Sequence, residues 1–227
     1  GPGNVSGEGE GINFLGYRPE KDWKTFLIHK GFHLAHNFDP VRWDRSGNES
    51  ILVACKEGVH LLYPGGKNQW TARQMTEKGA GEVRLGKLPN GNRFITSIEP
   101  IHGNEVVINP EAKSGLWSQN RVVIDDGLSQ GHALVTGDFL GLGYDQVAAG
   151  WRQKTGEDKK VGIRLYVPTN KDGSEWKQHA VIDDNTMACE DMKAADLDGD
   201  GDLDLVAAGR ATKNVVIYWN KTSAAPK

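Results

Sequence analysis

Cysteine and long apolar runs are scarce in this chain of 227 residues, and each shortage removes a class of explanation. Two cysteines, Cys55 and Cys189, make no disulfide framework. Two buried thiols are the simpler reading, since free cysteine behaves as a small hydrophobe, and a single pairing stays open. No stretch approaches the ~18 apolar residues of a membrane helix, so no membrane span is expected. Net charge is −3, with no basic tract interleaved with aromatics, so no nucleic-acid partner is expected. A phosphate-cradling loop and a CxxC pair are missing, which argues against common kinase and redox chemistry. The opening GPGNVSGEGEG lacks the charged-then-apolar order of a secretion signal. Gly1-Pro2 has the look of a protease-cleavage scar. Residues 1–10 and 222–227 are expected to be flexible, and the domain is expected to work in an extracellular or periplasmic setting.

What the chain does contain is glycine, 29 of them, and repetition. Trp23, Trp70, Trp117 and Trp176 recur at spacings of 47, 47 and 59 residues, each opening a β-rich stretch. After each comes an alternating strand, a Gly-rich turn, a second strand such as "DQVAAG" or "LDLVAAG", and a third: "VHLLYP", "EVVINP", "IRLYVP" and "NVVIYW". Short Val/Ile/aromatic strands between Gly, Asp and Asn turns, without a long amphipathic helix, make the fold all-β. A four-stranded unit of this length reads as a propeller blade, with an irregular sandwich as the alternative. Residues 11–221 are assigned to that propeller. With strands lettered a to d outward, Ile12 to Pro19 reads as a strand c and the Trp23 segment as a strand d. Three full blades follow, then a last blade with only a, b and c. The Trp23 strand is expected to supply the missing outer strand and close about four blades, because a long apolar edge otherwise stays open. The surplus strand at Ile12 keeps a larger propeller in play.

The densest charge lies in "DLDGDGDLD". Asp196, Asp198, Asp200 and Asp204 occupy positions 1, 3, 5 and 9, and Gly199 and Gly201 permit the tight turn. Alternating hard oxygens suit Ca²⁺, with the backbone oxygen of Asp202 as a further ligand. An EF-hand is excluded, since no Glu stands at position 12 and a strand follows. The matching turns at Asp44, Asp138 and "KLPNGNR" have lost most carboxylates, so one structural calcium is expected. The sequons at Asn4, Asn48 and Asn220 are weak signals.

The loop and its strand resemble the FG-GAP/VCBS repeats of β-propellers, whose calcium loops join strands a and b; the resemblance runs from Trp23 to Trp219. The segments "GAGEVRLG", "IEPIHGNEVVINP" and "GHALVTGDFLGLGYDQVAAG" are similar to the propeller domain of fungal aldos-2-ulose dehydratases, which are sugar lyases, and to related bacterial VCBS proteins. Those enzymes are longer and carry cupin domains absent here. The resemblance therefore implies at most the dehydratase step.

In such a propeller the a–b turns lie on one face and the d–a and b–c turns on the other. The second face would gather His33, His36, Glu82, Arg84, His132, Glu190 and Asp191 at the starts of strands a. Lys56, Glu99, His102, Arg152 and Arg210 would arrive from strand b. Imidazole, carboxylate and guanidinium groups meeting at a channel mouth can serve acid–base chemistry, and His36, His132, His102, Glu190, Arg152 and Arg210 are the catalytic candidates. His36, His132 and Glu190 can also hold a second divalent metal in an open three-ligand site. Two functions follow: a carbon–oxygen lyase dehydrating keto-sugars, or a non-catalytic module binding a sugar, glycan or protein. Self-association is a further expectation.

Overall fold

Period-two alternation of apolar and polar residues favours strands, and strands are what dominate the computed structural model, which describes residues 7–44, 47–66, 69–113, 115–155 and 159–222. The described residues form five antiparallel sheets in chain order. Sheet I pairs β1 (Ile12–Arg18) with β2 (Lys24–Phe32). Sheet II contains β3 (Phe38–Val41), β4 (Ser50–Cys55), β5 (Gly58–Pro64) and β6 (Trp70–Gln74). Sheet III contains β7 (Glu82–Lys87), β8 (Arg93–Glu99), β9 (Glu105–Pro110) and β10 (Val122–Asp125). Sheet IV contains β11 (Gly131–Gly137), β12 (Gln146–Trp151), β13 (Gly162–Pro168) and β14 (Trp176–Asp184). Sheet V has β15 (Cys189–Ala195), β16 (Asp204–Gly209) and β17 (Asn214–Tyr218). Each strand pairs with its sequence neighbour, so loop closure is inexpensive throughout. At the β4–β5 turn Gly58 adopts φ 112°, and a Cβ there would lie 2.1 Å from the Thr76 carbonyl oxygen. Only glycine fits.

The core lies between sheets. Phe14 and Ile28 of sheet I pack with Val53 and Leu62 of sheet II. Leu52 and Leu61, on the other face of sheet II, pack with Val83 and Ile95. Phe94 and Ile98 of sheet III meet Val147 and Tyr166, and Ala148 and Leu165 of sheet IV meet Leu205 and Val216. Every internal sheet is thus apolar on both faces. Fully burying one such Leu, Val or Phe side chain contributes about 1.5–3 kcal/mol. The first strands β3, β7, β11 and β15 are neighbours in that order, which brings their polar starting turns together.

Two expectations are corrected. The strand after Trp23 pairs with β1, not with β17, so β17 remains an edge. The reason is local: the turn between β1 and β2 closes through Trp23 N–H to Arg18 O at 2.9 Å, and a hairpin with so short a turn forms at little entropic cost. Trp117 opens a 3-10 turn (Trp117–Asn120), not a strand. Its indole is 2% exposed, 5.3 Å from Trp43, and Arg93 stacks over both rings while pairing with Glu111. The two thiols are free and buried, as the simpler reading held, and burial pushes both up to about 12.

Candidate functional site: a three-histidine cluster

Three imidazoles from three sheets meet where the first strands converge. His36 ends the turn before β3, His102 sits in the turn between β8 and β9, and His132 is the second residue of β11. The ring centroids lie 4.6, 4.8 and 4.9 Å apart. His102 takes a left-handed φ of 53°, a conformation that histidine tolerates better than a branched residue.

The outward nitrogens are held by acceptors. His36 Nδ1 lies 3.1 Å from both the Gly81 carbonyl and Glu82 Oε1. His132 Nδ1 donates to the Glu190 carbonyl at 2.7 Å. A ring nitrogen facing a carbonyl must carry the proton, so Nε2 of each neutral ring keeps its lone pair for the cluster. His102 Nε2 stands 2.9 Å from His36 Nε2, a separation that calls for one shared proton. Ligand atoms of the three rings all lie within 4.8 Å of one another. A tetrahedral Zn²⁺ with Zn–N near 2.0–2.1 Å needs nitrogens about 3.3 Å apart. Small ring movements give that arrangement, and the Nδ1 acceptors supply the outer support that metal-bound histidines use.

Electrostatics separates the rings. The hydrogen bond that His36 donates to Glu82 raises the His36 pKa against the burial that lowers it. His102 falls to about 4, first through burial and then through the nearby His36 and Arg152 charges. Glu82, 1% exposed, also accepts from Asn37 Nδ2 at 2.6 Å. Beside the rings, Glu190 Oε1 accepts from Arg152 Nη1 at 2.6 Å and lies 3.8 Å from His132 Nε2, and Arg210 Nη1 is 3.5 Å away. Glu190 Oε2 is buried, with no hydrogen-bond partner among the described residues. Arg152 is steered by Gln130 Oε1 at 3.1 Å.

All six catalytic candidates are thus brought together. The third member of the imidazole group is His102, and Glu190 stands next to it as an ionic neighbour. Other expected lining groups point elsewhere. Glu99 turns into the sheet edge and pairs with Arg121 at 2.9 Å. Asp191 is exposed beside Lys193. Lys56 and His33 are engaged by the N-terminal segment, donating to Gly7 O at 2.7 Å and Gly9 O at 2.9 Å. Asn37 and Gln130, supporters of the site, were missed because a single amide side chain carries no spacing signal.

The acidic loop closes on itself. Asp196 accepts from Gly199 and Gly201 N–H at 2.7 and 3.1 Å, with both glycines at positive φ. Ligand atoms of Asp196, Asp198 and Asp204 lie within 4.8 Å of one another. Asp204 is fully buried and accepts from Leu197 and Asn220 N–H. Asp200 and Asp202 lie outside that trio, and Lys221 Nζ stands 2.8 Å from Asp198 and 3.8 Å from Asp200. The related loop at Asp44 runs through residues outside the described ones. Of the sequons, Asn4 lies outside the described residues, and the Asn220 amide donates to Phe139 and Leu203 carbonyls.

Two arrangements imitate nucleophilic sites. "GLSQG" (Gly127 to Gly131) has the spacing of a hydrolase nucleophile turn, but it leads into β11, not a helix. Ser129 is buried against the Thr155 hydroxyl. Cys55 Sγ lies 3.6 Å from His60 Nδ1, yet the thiol donates to Gly58 O and its pKa is raised, so thiolate is disfavoured. Compared with models of known protein families and with curated proteins, the chain matches none.

Proposed function

We propose that the five sheets are blades of a calcium-stabilised β-propeller, and that the three-histidine cluster at its channel mouth is an open metal centre serving a carbon–oxygen lyase that dehydrates keto-sugars. The observation that carries this reading is that ligand atoms of His36, His102 and His132 all lie within 4.8 Å of one another, while Nδ1 of His36 and of His132 is held by carbonyl or carboxylate acceptors. Three imidazoles with a free fourth position suit Zn²⁺ or another divalent first-row ion. Bound there, such an ion supplies Lewis-acid polarisation of a ketose carbonyl.

The protein's own groups supply the rest. Glu190, whose carboxylate lies 3.8 Å from His132 Nε2, takes the proton from the carbon beside the carbonyl, and the C–H electron pair becomes the enolate double bond. The same carboxyl returns that proton to the β-hydroxyl, whose C–O bond breaks; water leaves and an enone remains. Arg152 and Arg210 pair with Glu190 and offer cationic donors to the developing oxyanion. A screen of 2-keto and 3-keto sugars with Zn²⁺-loaded protein, read by enone absorbance and calorimetry, tests this. Absorbance growth abolished by Glu190→Gln supports the lyase. Binding without absorbance marks a glycan-binding module, and no binding by any sugar overturns both.

Metal affinity should depend on pH in a defined direction. Metal must displace the proton that Glu82 helps His36 to retain, whereas His102, near 4, is already neutral. Affinity should therefore rise about tenfold per pH unit up to the raised His36 pKa and level off above it. In the metal-free protein the His36–Glu82 contribution to stability has the opposite sense. It is fully present below 6.5 and fades as pH climbs through the raised value. Calorimetry in buffers of different ionisation enthalpy should count close to one proton released per metal; no release would refute the assignment.

A further inference from the structure

Each junction between successive sheets follows one rule, and the two ends of the stack carry the halves left over. A sheet buries its forward face on the backward face of the next. Sheet I spends its forward face, Phe14 and Ile28, on sheet II. Its backward face, with Leu15 opposite Leu27 in the register, is left exposed. Sheet V spends its backward face, Leu205 and Val216, on sheet IV. On its forward face Val206 stands opposite Ile217 and Ala208 opposite Val215.

The exposures show how unusual these faces are within the repeat. Tyr17, Leu62 and Tyr166 each lie two residues before the proline that ends strand c. Leu62 is 0% and Tyr166 1% exposed against the preceding sheet, but Tyr17 is 58% exposed. Trp176 lies 5.3 Å from Phe94 of the preceding sheet, whereas Trp23, at the same place in sheet I, is 66% exposed. At the other end Val215 is 70% exposed. The faces do not cover each other within one chain.

We infer that the chain associates head to tail with a second copy of itself, the backward face of sheet I docking on the forward face of sheet V. The occupant is argued from the repeat: a backward face in this fold is covered by a forward face, and among the described residues the forward face left free is on sheet V. Charge agrees. Inside the chain the outer turn of sheet IV meets the inner turn of the preceding sheet, through Asn90 N–H to Lys171 O at 3.2 Å. Applied between copies, that relation sets the turn of sheet I, where Arg18, Lys21 and Lys24 outnumber Glu20 and Asp22, on the Asp196–Asp204 loop of its partner. Such a contact is heterologous, so it either closes a ring or runs on. It is independent of the histidine chemistry.

Tyr17→Asp and Val215→Asp each put a charge on one face, at exposed positions where folding is undisturbed. Sedimentation velocity should show wild-type mass rising with concentration, and each variant alone as a monomer with an unchanged circular dichroism spectrum. Mixed one to one, they should form a heterodimer that grows no further, because one intact face of each kind remains. Should Tyr17→Asp alter the spectrum, Leu27→Lys takes its place. Wild-type protein that stays monomeric at all concentrations overturns the inference. So does self-association by either variant alone, or a mixture that fails to pair.

Discussion

Replacing His132 or His102 with alanine is expected to lower Zn²⁺ affinity by more than about two orders of magnitude while moving the metal-free melting temperature by no more than a few degrees. The size follows from role. Losing a supporting outer hydrogen bond costs metal sites about 10–100-fold, and losing one of three ligating nitrogens costs more because a closed set becomes a bidentate one. The small stability change follows from position: both rings lie at the partly open end of the inner strands, outside the apolar clusters between sheets. Glu82→Gln provides the contrast. It keeps all three rings but removes the carboxylate that orients His36, so a loss within about 10–100-fold is expected, together with a weaker pH dependence below neutral. Competition against a chromophoric chelator measures all three. If His102→Ala binds zinc as well as wild type, the cluster is a packed set of imidazoles and the metal centre is refuted.

Calcium removal should act on stability. At calcium a hundredfold above its dissociation constant, binding to the folded state alone adds about 2.7 kcal/mol. For a chain of this length that corresponds to roughly 5–10 °C in melting temperature. Asp198→Ala, in the exposed arm of the loop, should abolish the calcium response and leave the calcium-free melting curve almost untouched. Asp204→Ala should differ. Its buried carboxylate accepts from Leu197 and Asn220 N–H, and orphaning buried donors costs about 1–3 kcal/mol each with or without calcium. Lys221 stands against Asp198 and Asp200 and competes with an incoming cation, so Lys221→Ala should tighten calcium binding. Scanning calorimetry with and without EGTA checks the set. A wild-type melting curve indifferent to both calcium and EGTA would reduce the loop to a turn closed by its own Asp196 hydrogen bonds.

Period-two alternation, the recurring tryptophans and the glycine–aspartate turns determined by themselves that the chain is all-β and that three four-stranded antiparallel units follow one another along its middle. These are local properties. Strand propensity and short turns act over a few residues, so they can be read without knowing what lies across the molecule. The acidic loop was legible for the same reason, because its carboxylates and glycines sit within nine consecutive positions. The polar centre was legible only as a crowd. That His102 and not Glu190 completes the imidazole group depends on a left-handed turn at residue 102 and on Arg152 drawing Glu190 aside, contacts between residues far apart in the chain. Likewise, the apolar edge at β17 argued for a partner strand, but sequence alone could not choose among distant strands. The tertiary structure gave the Trp23 strand to β1, because a hairpin closed by a short turn costs less entropy than a sheet joined across the whole chain.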